Sequence, residues 1–93
     1  GAYPDVRVGG SNAPLRGFKT EPYEGGIRTP AVARWPGILK PGKCGHAVHA
    51  ADWMPTVCKL AGYKPEGDLK WDGEDVWPQL TRAAEPRPRV LYW

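Results

Sequence analysis

The sequence predicts a mixed α/β piece of a larger domain, in which a glycine-rich loop leads into a strand and a capped helix covers it. Three observations carry that reading. The first 26 residues are broken by Gly9-Gly10, Ser11-Asn12, Pro14, Gly17, Pro22 and Gly25-Gly26, so no period survives there. Ile27 to Trp35 then places Ile27, Val32 and Trp35 among small residues in the manner of a short strand, with pairing expected to begin after Pro30. Trp53 to Ala61 has helical spacing of Trp53, Met54, Val57, Cys58, Leu60 and Ala61, which calls for one buried face.

Each element has its local signals. A structureless run of about 25 residues inside a compact domain is uncommon and is usually tied to binding or closure, which makes the opening loop a functional candidate. Pro36-Gly37 stops the strand, and Ile38 to Lys43 reads as a surface turn, followed by a short extended piece around Ala47 to His49. Asp52 is placed to cap the helix, Pro55 falls in its first turn where a missing N–H costs no helical bond, and Gly62 suits the left-handed position after its end. A second short helix is expected over about Glu74 to Thr81, and a new strand over Arg89 to Trp93. The resulting organisation is one partial domain over 1–93: an active-site loop in 1–26, a strand and helix in 27–62, and a loop, a short helix and the start of a C-terminal subdomain in 63–93.

Composition explains why the chain is read as part of something larger. Leu, Ile, Val and Phe number 16 of 93 residues, below the roughly 20% at which autonomous folding becomes doubtful, and Gly and Pro contribute 12 and 11. Five Trp, four Tyr and a net charge of only +3 argue equally against a disordered chain. The aromatics are expected to pack on segments outside this sequence. The Lys and Arg residues form no stripe, which excludes a nucleic-acid surface, and no apolar run reaches the roughly 18 to 20 residues of a membrane span. The start Gly1-Ala2-Tyr3-Pro4 has neither Met nor a signal-like run, so the true N-terminus is expected upstream. Cys44 and Cys58 lack metal-ligand spacing and are either one disulfide or two thiols.

Several ordered strings resemble the sulfatase family. Pro14-Leu15-Arg16-Gly17-Phe18-Lys19, followed by Tyr23-Glu24-Gly25-Gly26-Ile27-Arg28-Thr29-Pro30, looks like that family's P-L-R-G-x-K and [WY]-E-G-G-[IV]-R-x-P segments at the same spacing. Ala33-Arg34-Trp35-Pro36-Gly37 and His49-Ala50-Ala51-Asp52-Trp53-Met54-Pro55-Thr56 continue the match, as do Asp72-Gly73 and Arg89-Val90-Leu91-Tyr92-Trp93. The branch most similar is the arylsulfatase B-like group.

The resemblance implies a C-terminal part of a sulfatase catalytic domain with the alkaline-phosphatase-like α/β fold. It implies hydrolysis of a sulfate monoester, with a sulfated sugar as the expected substrate, by a parent enzyme that uses calcium and a formylglycine made from Cys or Ser. It also implies a periplasmic, secreted or lysosomal setting. Neither Cys44 nor Cys58 is followed by x-P-x-R, and the family's calcium-binding aspartates and Asn are not in this sequence. The chain alone is therefore expected to be inactive, to hold no metal, and to need the rest of a sulfatase chain as its partner.

Lys19 is the one residue that transfers to the family's active site. By resemblance it contacts the sulfate oxygens and the bridging ester oxygen, where an ammonium stabilises the charge that develops as the S–O bond breaks. Arg16 is read as structural, bonding loop carbonyls, and Glu24 and Arg28 are spaced to pair. His49 is a candidate substrate contact and His46 a weaker one, because an imidazole can protonate a leaving group. Trp53, Trp71 and Trp77 are read as packing residues before sugar platforms. Two rivals remain at this point: a phosphomonoesterase or phosphodiesterase of the same superfamily, and a non-catalytic module that binds anions or carbohydrate.

Overall fold

The structure, a computed structural model, describes residues 10–92. It divides into two compact units, Gly1–Val32 and Ala33–Trp93.

In the first unit the glycine pair is helical. A single turn, α1 (Glu24–Ile27), forms where a loop is expected, with the Gly26 and Ile27 N–H groups donating to the Tyr23 carbonyl and that of Arg28 to Glu24. Glycine is required because this turn lies directly on the backbone of the loop before it. A Cβ on Gly25 would meet the carbonyl oxygens of Gly17 and Arg16, and one on Gly26 those of Glu21 and Phe18. The Gly25 N–H donates to the Arg16 carbonyl at 2.7 Å. Asn12 completes the knot by donating from Nδ2 to the carbonyls of both Gly17 and Gly25, at 3.1 and 2.9 Å.

The strand expected over Ile27 to Trp35 does not form. Ile27 closes α1, and residues 28–35 are irregular, with Val32 almost wholly exposed. A strand exists only through a ladder with a neighbour, and no strand occurs among the described residues. The same reason removes the strand expected from Arg89, whose last residue, Trp93, lies outside the described residues.

The second unit is organised by α2 (Trp53–Leu60), which forms within a residue of its expected span and follows a 3₁₀ turn at Ala50–Asp52. Its C-terminus is closed as Gly62 allows. Gly62 takes φ +73°, the Tyr63 N–H reaches back to the Cys58 carbonyl, and the Gly62 N–H to that of Lys59. This is the paired bonding of a Schellman motif. Its N-terminus corrects the expectation that Asp52 caps the helix. No side chain caps α2 itself; the cap is that of the 3₁₀ turn and belongs to His49, whose Nδ1 accepts from the Ala51 N–H at 3.1 Å while Asp52 Oδ2 accepts from the His49 N–H at 2.6 Å.

The short helix α3 (Trp77–Leu80) begins three residues later than expected. Side chains of α2 and its 3₁₀ turn hold the preceding backbone N–H groups. The Glu74 N–H donates to Asp52, and that of Val76 to Thr56 Oγ1 at 3.0 Å. Asp75 Oδ1 then accepts from the Trp77 N–H at 2.9 Å and starts the helix. Trp77 packs on Trp35, with ring centroids 5.5 Å apart.

Candidate functional site

Lys19 sits at the corner of a tight turn over Phe18 to Glu21. The Glu21 N–H donates to the Phe18 carbonyl at 3.0 Å, and Glu21 Oε2 accepts from the Phe18 N–H at 3.2 Å. Thr20, next in the turn, has φ +82°. A turn of this type favours glycine at that place, and a β-branched residue held there stores backbone strain. Lys19 precedes that strained residue in the turn and is exposed. An open groove of about 520 Å³ in the same unit is lined by residues from Ser11 to Leu15 and from Arg28 to Pro30, without Lys19.

The neighbours of Lys19 hold the turn by other means than the sequence suggests. Arg16 does not bond loop carbonyls. Its guanidinium lies 3.8 Å over the Tyr23 ring and donates to the Tyr23 hydroxyl at 2.9 Å, while the carbonyls go to Asn12. Glu24 and Arg28 do pair, at 3.3 Å, on the surface.

The second unit holds a buried charge cluster that sequence reasoning missed. Asp52 is fully buried, and its carboxylate takes both arms of the Arg89 guanidinium at 2.6 and 2.9 Å as well as the His49 and Glu74 N–H groups. Burial alone pushes this carboxyl up. The Arg89 hydrogen bonds, the two backbone donors and the Arg89 charge outweigh that and hold it at about 2. Arg89 is raised above its ordinary value, first by its bonds to Asp52. It also donates to the Ala47 carbonyl and lies 3.3 Å from Glu74, which pairs with Arg87 as well. The Arg89 partner is 37 residues from Asp52, and no local pattern announces it.

The two histidines belong to this scaffold. His46 is buried, with Nδ1 accepting from the Arg87 N–H at 3.4 Å and Nε2 lying 3.9 Å from Glu74. His49 has its Nδ1 engaged in the cap, which leaves Nε2 for any other contact. The spacing of His49 and Asp52 matches a capping box, a signal hidden because His is not a usual cap.

The residues present do not fit the implied calcium and formylglycine. Among the described residues no three His, Cys, Asp or Glu side chains gather as a cation needs. The buried Asp52 has both oxygens taken by Arg89 and backbone donors. Both cysteines are free thiols, Cys44 donating to the Gln79 carbonyl at 3.5 Å and Cys58 beside Met54.

The family model described as Sulfatase matches residues 5–63, a span that includes the turn of Lys19 and helix α2. This chain belongs to the sulfatase family, whose fold is of the α/β alkaline-phosphatase-like kind. It is 42% identical to mouse steryl-sulfatase over 80 residues, which is 85% of this chain and 13% of that protein. It is 38% identical to mouse arylsulfatase J over 87 residues, covering 91% of this chain and 14% of the relative. With mouse N-acetylgalactosamine-6-sulfatase it shares 36% over 86 residues, 91% of this chain and 16% of the relative. The chain thus spans no more than about a sixth of these curated relatives. No solved structure matches it. The phosphoesterase alternative is not favoured beside relatives that carry sulfatase names.

Proposed function

We propose that this chain is the part of a sulfuric ester hydrolase that presents a sulfate-contacting lysine, and that it needs the rest of a sulfatase chain for catalysis. The observation that carries the reading is Lys19 at the corner of the strained Phe18 to Glu21 turn, inside the string matched to the family. As the S–O bond of a sulfate monoester breaks, negative charge grows on the departing oxygen. A fixed ammonium stabilises that charge most where water is excluded, since a charge pair at 4 Å is worth roughly 1 kcal/mol in water and about 4 at an effective dielectric of 20. The backbone knot around Gly25 keeps the lysine's turn from relaxing as the charge moves. The chain's own contribution is therefore charge stabilisation and positioning, with the nucleophile and cation supplied by other sulfatase residues.

His49 would reach substrate only through Nε2, its free nitrogen. Sulfated carbohydrate as the substrate draws support from the name of N-acetylgalactosamine-6-sulfatase, and the steryl-sulfatase names point to a different leaving group. The shared element is the sulfate monoester.

The test is a chimera in which this chain replaces the matching segment of a full-length relative. Lys19→Ala in that chimera lowers kcat for an aryl sulfate by about 10² to 10³, the loss typical of one removed charge-stabilising donor. Undiminished turnover in that variant, or hydrolysis by the isolated 93-residue chain above its own Lys19→Ala control, overturns the reading.

A further inference from the structure

The segment after Trp35 and the end of α3 enclose a small cleft that neither the charge cluster nor the Lys19 loop uses. It measures about 210 Å³, and its lining includes Lys43, Cys44, Gln79, Arg82 and Glu85, all in the second unit. No acidic residue occurs between Glu24 and Asp52, a run that holds Arg28, Arg34, Lys40 and Lys43, so this side of the cleft brings only positive charge. Arg82 is built into its place. It has φ +61°, a backbone conformation that a side chain disfavours, and its Nη2 donates to the carbonyls of Lys40 and Pro41 at 3.3 and 3.1 Å. Gly42 leaves the room for this, since a Cβ there would meet the guanidinium. Among the described residues neither Arg82 nor Lys43 has a carboxylate within ion-pair distance. Two acceptors complete the lining. Glu85 is exposed, and Gln79 Oε1 is buried with no donor, a cost that a ligand hydroxyl removes.

We propose that this cleft is a subsite for one anionic sugar residue, with its sulfate or carboxylate on Lys43 and Arg82 and its hydroxyls donating to Gln79 Oε1 and Glu85. The mixture of groups selects that class. A bare inorganic anion leaves Gln79 Oε1 without a donor and meets the Glu85 charge. A neutral sugar leaves both cations unused. A nucleic acid needs a row of cations along its phosphates, and only two line the cleft. The guanidinium offers a planar fork to an oxyanion, and the lysine adds a mobile point charge. Size sets the limit. Pockets for drug-sized ligands run from about 300 to 1,000 Å³, so 210 Å³ suits a single sugar ring. The subsite lies in the other unit from Lys19 and is read by binding, so it stands or falls separately from the role of that lysine.

Cys44 is an exposed thiol in the cleft wall, so its labelling reports occupancy. In the chimera, maleimide addition at Cys44 is followed by mass spectrometry of its peptide. Two probes carry an anion on a sugar that a sulfatase cannot hydrolyse, 6-deoxy-6-sulfoglucose and glucuronic acid. At least one of them slows labelling about threefold or more once it exceeds twice its dissociation constant, while a Lys64→Cys control outside the cleft keeps its rate. Glucose and sulfate, which bring the hydroxyls or the anion alone, protect only at much higher concentration. Lys43→Ala raises the half-protecting concentration about threefold, the scale of one exposed ion pair. It is a cleaner variant than one at Arg82, which also ties the turn at Lys40 and Pro41. No slowing by either anionic sugar overturns the proposal. So does equal protection by glucose, which would leave the cations without a part, or by sulfate, which would make this a site for an adventitious ion only. Unchanged protection in Lys43→Ala overturns it as well. A Cys44 that does not label in the chimera before any probe is added does the same, because the cleft would then be closed.

Discussion

The two units of this chain reach order by opposite means. In the loop unit, backbone packs on backbone: α1 lies on the carbonyls of Arg16 and Gly17, and Asn12 ties two further segments with neutral amide bonds. Its charged contacts, Arg16 on Tyr23 and Arg28 on Glu24, are on the surface. In the helical unit a buried carboxylate gathers four donors, one from the adjacent His49 and three from the distant Glu74 and Arg89. The difference teaches where each can tolerate change. In the proposed role of bringing an ammonium to a sulfate, the loop gains from a backbone-packed turn with no competing buried charge. A scaffold with almost no apolar core gains from one fully paired ion cluster, since directional bonds specify a geometry that a few aliphatics cannot.

The sharpest way to break the contrast is Arg89→Ala in the chimera. Removing one partner leaves Asp52 buried and unpaired, and the helical unit loses about 3 to 5 kcal/mol, read as lost amide protection at His49 and Glu74. Protection at Gly25 in the loop unit stays as it was. A uniform loss across both units would show that the charge cluster governs the whole chain.

Acid provides the next largest effect. The Asp52 carboxyl is held below its unfolded value, at about 2. Its stabilising contribution is therefore complete above the ordinary carboxylate range near 4 and is lost as pH falls from about 4 to about 2. The loss amounts to roughly 2 to 3 kcal/mol. Amide exchange across that range should weaken at Glu74 before Gly25, and Asp52→Asn should flatten the dependence.

The smallest effect belongs to the loop unit. Gly25→Ala drives a methyl group into two backbone carbonyls, and overpacking of that kind costs about 1 to 3 kcal/mol. It should lower aryl sulfate turnover through the displaced Lys19 turn while the melting of the helical unit holds. An Ala there that leaves turnover intact would mean that the knot does not position the lysine.

Much of this was legible in residue order. Helix α2 and its Gly62 closure follow from local signals, because helical spacing and a left-handed glycine are decided within a few residues. The surface pair of Glu24 and Arg28 follows from the same short range. The strands were not legible in that way. The residues from Ile27 to Trp35 have strand-like composition, but a strand is a relation to a neighbour, and here the backbone continues without one. The candidate site divides similarly. Lys19 is proposed from its string, whereas Asn12 as the carbonyl binder and Thr20 as the strained corner became visible only with the turn in place.

The sequence by itself determined the family and the span of the helix with its Gly62 end, since each depends on identity and near-neighbour spacing. Tertiary structure alone decided that Asp52 pairs with Arg89 rather than capping α2, that His49 takes the cap, and that the helix turns its polar side inward. The physical reason is the same for all three. A carboxylate taken out of water must find its donors wherever the chain brings them, and meeting that requirement outweighs the local preferences of the residues around it.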